Sequence, residues 1–277
     1  MKLKDEMFNY SFKPGTYTVL DKKITNRLAA NTNSTLSVGS VAEEKATTTV
    51  DDILVAHEYI PYSVINTNEG NVPDAYARKL AYGLAHTKMV ELLAFGLLSC
   101  RTSGKQVTID NEDTDGSSVY DGLLEVWENL MNAGVPETDL YVALNPTYYS
   151  LLRSYAPSAS RDFAGGIGNE DFQLQGFKLF GMNIMPIKGP FNTNVTSVYG
   201  NIASKYKADF TIGSTGATGE VGFIWHKDSY RLHQVQKPTV NIYDTPEEQS
   251  WLVRASEQFG TGVIDSNGMY TLIADNT

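Results

Sequence analysis

A chain of 277 residues is long enough to bury a sizeable core and to form one or two domains. Its formal charge of −10, from 22 Lys and Arg against 32 Asp and Glu, leaves no basic stripe to exchange counterions with a phosphate backbone, which argues against sequence-specific nucleic-acid binding. No apolar run approaches the ~20 residues of a bilayer span and no apolar block follows the opening MKLKDEMFNY, so the expectation is a chain with neither transmembrane helix nor signal peptide, made in a cytoplasm.

Residues 1–49 read as an extended arm. A Pro-Gly turn and a short Thr/Val/Leu strand lie between Ser11 and Leu28, and Ala29 to Thr49 holds almost no large apolar residue. Such a segment cannot make a core of its own and gains order only by lying on another surface, such as a second copy. From Val50 to Ile60 the pattern alternates, with Ile53, Val55, His57 and Tyr59 on one face and Leu54, Ala56, Glu58 and Ile60 on the other. His57, among apolar neighbours, reads as a satisfied core or interface histidine.

A long helix is signalled from Pro73 to about Leu98: Pro suits its first turn, Asp74 its positive end, and Gly104 lies beyond its stop. Cys100, the single cysteine, rules out an intramolecular disulfide and reads as a packed thiol at the helix end. After a polar linker, SSVYDGLLEVWENLMNAG predicts a second helix capped by Ser117 or Ser118 and closed by Gly134 and Pro136. LYVALNP then predicts a short buried strand, and Asn145 with Pro146 caps a third helix. This alternation marks an α/β middle region from Gly116 to Thr245. The last block alternates again, with Trp251, Val253, Ala255 and Phe259 sharing a face, so two sequence-distant strands must pair.

FIWHKDSYRLH, Phe223 to His233, gathers two of the four histidines, an aspartate and a serine. It reads as a strand with Val221, Phe223 and Trp225 facing one way, a polar turn at Lys227 to Tyr230, and a return strand. A triad needs members from separate segments, and Ser229 has no Gly-x-Ser-x-Gly elbow around it. A metal site on His226 and His233 would need a hairpin, because one continuous strand would hold them over ~20 Å apart, and no second ligand cluster completes it. GGIGNEDF puts Glu170 and Asp171 where a pyrophosphate should sit, and GSTGATGE has Glu220 where a Walker loop needs lysine. The acid pairs Glu43–Glu44, Asp51–Asp52, Glu112–Asp113 and Glu247–Glu248 lie among polar residues and read as solvated or interface-facing. The sequons at Asn33 and Asn194 carry no weight without a secretory signal.

YVALNPTYYSLL, LFGMNIMPIKGPF, GEVGFIWHKDSY and the closing SWLVRASEQFGTGVIDSNGMYTLI, in this order and spacing, resemble the major capsid proteins of tailed bacteriophages, the Hong Kong 97-type fold, and among them the podovirus type. The likeness spans Val50 to the end. It implies an α+β chain with an N-terminal arm and extended loop at residues 1–49, a peripheral domain with the spine helix at 50–115, an axial domain at 116–245 and closing peripheral strands at 246–277. It further implies hexamers and pentamers of an icosahedral shell, a separate scaffolding protein, a portal, a decoration protein, packaged double-stranded DNA held without sequence specificity, and assembly in a host cytoplasm. No catalytic, cofactor or metal residue is implied. Lys22, Lys23, Arg27, Glu43 and Glu44 are the charged candidates for contacts between subunits. Two alternatives stand beside it: an encapsulin-like compartment shell, disfavoured by the polar, helix-poor start, and a metal-dependent hydrolase using His226 and His233.

Overall fold

The computed structural model describes residues 9–11, 15–21, 42–48, 52–67, 71–111, 114–155, 177–199, 202–212 and 219–275. Lys22, Lys23, Arg27, the Asn33 sequon, Glu112–Asp113, GGIGNEDF and residues 213–218 lie outside these.

Among the described residues, four strands and one short helix precede the long helix. Strand β1 is Asn9–Ser11, β2 is Gly15–Asp21, β3 is Ala42–Thr48 and β4 is Asp52–Pro61, followed by helix α1, Tyr62–Thr67. Strands β2 and β3 pair antiparallel as a separate two-stranded ribbon. Helix α2, Val72–Ser103, begins where the Asn71 side chain accepts the Asp74 N–H and ends at Gly104, whose φ of 68° is left-handed. It outruns the expected stop at Leu98, and Ser99, Thr102 and Ser103 turn their hydroxyls back onto the carbonyls of Phe95, Leu98 and Ser99 at 2.7 to 2.9 Å. Satisfied in this way, they are accommodated in the last turns, and the stop is set by the left-handed Gly104. At 32 residues it is a rod of about 48 Å.

Two sheets share this rod. A four-stranded sheet runs in the order β1, β10 (Tyr230–Thr245), β11 (Ser250–Val263), β4. Strand β11 pairs antiparallel with β4 from Ser250 opposite Pro61 to Phe259 opposite Asp52, the long-range pairing the alternation predicted. Opposed residues share a face, so Val253, Ala255 and Phe259, all buried, lie with Ile60 on one side. Val55, His57, Tyr59 and Arg254 occupy the other side, and all four are exposed. His57 is thus not a core residue: it packs edge-to-face on Tyr59 at 6.2 Å, on the open face. Both faces of β4 carry apolar residues, so periodicity alone could not say which one would be covered.

The six-stranded sheet runs β5 (Gln106–Asp110), β12 (Met269–Asp275), β9 (Gly219–His226), β6 (Leu140–Leu144), β8 (Met182–Pro186), β7 (Phe177–Leu179). Helix α3, Ser117–Asn132, and helix α4, Pro146–Ser154, contribute Val119, Leu123, Val126 and Leu152 to the core on one face. The C-terminal half of α2 contributes Val90, Leu93 and Leu97 to the core on the other. Asn145 caps α4 through the Thr147 N–H at 3.0 Å, as predicted. The start of α3 differs: the Asp115 carboxylate takes the Ser117 N–H at 2.9 Å after a left-handed Gly116, and the Ser118 hydroxyl instead accepts the Asp110 N–H at 2.8 Å. Gly116 is required there, because its φ is 87° and a Cβ would overlap the Leu151 carbonyl. Helix α5, Val195–Val198, lies in the segment leading to β9.

Sheet membership crosses the expected linear boundaries. Strands β5 and β12, from the segments assigned to the peripheral domain, pair with each other in the six-stranded sheet, and β12 pairs with β9. Strand β10, assigned to the axial domain, belongs to the four-stranded sheet. Each sheet is therefore assembled from distant parts of the chain.

Candidate assembly surfaces

The stretch richest in chemical groups is a crossover between the sheets. Strand β9 ends at His226 in one sheet and β10 begins at Tyr230 in the other, so the two do not form the expected hairpin. The Ser229 carbonyl accepts the N–H groups of Ile264 and Asp265 at 2.9 and 3.3 Å, and the Tyr230 hydroxyl donates to the Leu92 carbonyl at 2.7 Å. Those bonds turn the chain away from its own strand. His226 Nδ1 accepts the Asp228 N–H at 3.2 Å, and His233 is buried opposite Gly260. Among the described residues no three His, Cys, Asp or Glu side chains converge on one point.

Val221 also departs from expectation. A register shift between Leu272 and Ile273 sets Glu220 and Gly222 against consecutive residues of β12 and leaves Val221 as the extra residue. Phe223 and Trp225 pack in the core beside α2, with rings stacked at 4.9 Å, while Val221 joins the core under α3 and α4. The bulge aims Glu220 at α2.

Two ion pairs bolt α2 to the two sheets. Lys88 Nζ lies 2.6 Å from Glu257 Oε1 on β11, and Gln234 Nε2 donates to the same oxygen at 2.5 Å. Arg101 donates from Nε and Nη2 to Glu220 Oε1 at 2.8 and 2.5 Å, and from Nη2 to the Asp209 carbonyl at 3.1 Å. Both carboxylates are fully buried. Burial raises the Glu220 carboxyl above its ordinary range, with Arg101 opposing the shift. The Thr211 hydroxyl and N–H hold Asp209 below its own range. Burial pushes the Cys100 thiol up to about 12. Sequence reading named Glu220 only as a misfit in a Walker loop, and passed over Lys88, Arg101 and Glu257. The signal was present: Glu220 and Glu257 are lone acids in the runs GEVGFIW and VRASEQF, and Glu257 shares the parity of Val253, Ala255 and Phe259.

The polar skin of the subunit is broken at the four-stranded sheet. Val55, Tyr59 and Tyr243 are about half exposed there, at 45, 48 and 48%. The outer edge of β10, which beyond β1 pairs with no other strand among the described residues, adds Val235, Val240 and Ile242. Tyr82 on the projecting part of α2 is 73% exposed and stacks on His86 at 6.4 Å. Of the charged residues expected at contacts, Glu43 and Glu44 lie on β3 opposite Leu20 and Val19. Among the described residues no helix is long and apolar enough to cross a membrane.

No protein-family model and no curated protein sequence matches the chain. Solved structures do. A chain from the capsid of cyanophage P-SCSP1u is similar at 19% identity, with 99% of this chain and 88% of that one covered and a TM-score of 0.76. A chain from the mature capsid of bacteriophage PhiM1 matches at 13% identity over 98% and 87%, with a TM-score of 0.67. The capsid of an empty GTA particle matches at 13% identity over 98% and 89%, with a TM-score of 0.60. At these identities the likeness establishes a shared fold: this is an α+β chain with the architecture of phage capsid proteins.

Proposed function

We propose that this chain is a structural, non-enzymatic major capsid protein of a tailed bacteriophage, a Hong Kong 97-type subunit that assembles into the hexamers and pentamers of an icosahedral shell around double-stranded DNA. The observation that carries the reading is the end-to-end likeness to capsid chains, 99% of this chain against the cyanophage capsid. Helix α2 is the spine, the four-stranded sheet the core of the peripheral domain, and the six-stranded sheet the core of the axial domain.

Assembly accounts for features that an isolated subunit leaves unexplained. The ribbon β2–β3 lies over the open face of a neighbour's four-stranded sheet, where exposed Val55, Tyr59 and Tyr243 await cover. Lys22, Lys23, Arg27, Glu43 and Glu44 are the charged residues proposed for contacts between subunits. An acidic subunit suits a DNA container, since weak attraction lets the polymer slide along the wall. A separate scaffolding protein, a portal and a decoration protein are the further partners, and the virion is the final location.

The test is expression of the chain alone and with a candidate scaffolding protein, followed by negative-stain microscopy. Closed shells or six- and five-fold rings are expected. A monomer under every condition, binding zinc stoichiometrically, would overturn the reading.

A further inference from the structure

Strand β10 is an edge for most of its length. Strand β11 pairs along it from Tyr230 to Thr245, but on its outer side β1 pairs only with Arg231 to His233, and no other described strand follows. The outer N–H and C=O groups from Thr239 to Tyr243 face an edge that can take another strand. The apolar face also runs past its cover here. Val240 and Ile242 are 38 and 36% exposed, although their partners across the ladder, Ala255 and Val253, are at 0%. One more strand would complete the burial.

From the register of this edge we propose that a second copy of the chain pairs with it, antiparallel, about a two-fold axis passing through Asn241. The register is self-complementary. Opposed residues must share a face, so pairing centred on Asn241 sets Val240 against the partner's Ile242 and Thr239 against the partner's Tyr243. Centring on Ile242 would set Val240 against the partner's Asp244, a carboxylate on a valine. Centring on Val240 would draw Pro238, which has no N–H, into the ladder. The usable edge is bounded on both sides, by the register shifts from Gln234 to Thr239 and by the turn at Pro246. Because the axis is normal to the sheet, both copies keep their α2 helices on the same side. The product is one continuous sheet across two subunits, a flat joint between tiles.

This deepens the shell reading and rests on it for its setting, yet the two can fail separately. The native thiol is silent, since Cys100 is the only cysteine and is buried. Asn241→Cys places exposed thiols directly opposite each other, within the roughly 4.5 to 5.5 Å between opposed Cα atoms that a disulfide accepts. Tyr243→Cys, on the same outward face, has no symmetric partner in this register. Mild oxidation of assembled shells is expected to move the bulk of N241C into a dimer band on a non-reducing gel and to leave Y243C monomeric. Shells in which N241C stays monomeric, or in which Y243C cross-links as well, overturn the inference while the shell reading stands. If no shells form, the same oxidation is read on the concentrated soluble protein. A dimer of N241C alone then supports the pairing although the shell reading has failed, and a monomer sinks both.

Discussion

Lys88 on helix α2 reaches Glu257 on β11 at 2.6 Å, and Glu257 is completely buried. Thirteen positions further along, Arg101 makes the corresponding contact with Glu220 on β9. A buried ion pair seldom adds net stability, because desolvation offsets the attraction, but removing one member leaves a buried charge uncompensated. The pairs therefore fix where each sheet sits on the rod more than they hold the rod to the sheets. Lys88→Met is expected to cost about 3 to 5 kcal/mol, and Lys88→Met with Glu257→Leu to recover most of it. Urea unfolding of the two variants checks this. A single variant within about 1 kcal/mol of the parent contradicts it.

Glu220 gives the fold an unusual pH response. Its folded pKa is raised above 4.5, mainly by burial, so the folded chain holds that proton more tightly than the unfolded chain does. The stabilisation is fully present at low pH and is lost as pH rises through the folded pKa. Asp209 has the opposite sign: held below 3.8, it stabilises above that value and loses the contribution as pH falls. Urea midpoints measured from pH 4.5 upward should decline less steeply in Glu220→Gln than in the parent. Parallel curves would show that the carboxyl titrates as it does unfolded.

The crossover at Ser229 makes a steric prediction. Gly268 lies so close that a Cβ there would overlap Ser229 Oγ, and Ser229 Cβ would stand 2.8 Å away. Gly268→Ala should destabilise by about 1 to 3 kcal/mol through overpacking, and adding Ser229→Ala should restore part of the loss. Thermal melts of the three proteins decide the matter. A harmless Gly268→Ala would mean that the turn and the Ser266–Gly268 segment are not pressed together.

These cases also show what the sequence could express. Helix ends were legible because their signals are local: Asn145 with Pro146 and Pro73 with Asp74 act within one turn of the helix they start. Sheet membership was not legible. Only the residues from Ile264 to Gly268 separate β11 from β12, yet the two strands belong to different sheets. The direction is chosen by bonds to Ser229, far away in sequence. Val221 was assigned to the wrong face because a bulge breaks the period of two on which the assignment rested. The acids that bolt the sheets to α2 broke the apolar pattern visibly, but their partners lie over a hundred residues away.

Cys100 should be chemically inert in the folded subunit. Its thiol is pushed up to about 12 by burial, with the Glu220 charge adding to the shift, so almost no thiolate forms at pH 8. A thiol reagent should find no reactive group in the native protein and one per chain in guanidinium. Fast native labelling would show that the C-terminal half of α2 opens readily.

If the proposed function holds, the arm should separate folding from assembly. Strands β2 and β3 pair with each other and with no strand of either sheet, although β3 comes close to β11, and Lys22 to Thr49 covers β3 and the segment before it. Among the described residues, the main cores are built from side chains outside this segment, such as Leu93, Phe223, Val253 and Leu272. Deleting Lys22 to Thr49 should therefore leave a cooperative unfolding transition close to that of the parent. Shell formation should be lost, because a neighbour's open sheet face would no longer be covered. Circular dichroism melts and negative-stain images of one preparation read both consequences. An unfolded deletion variant would show that the arm belongs to the subunit's core, and normal shells would show that the joints between subunits lie elsewhere.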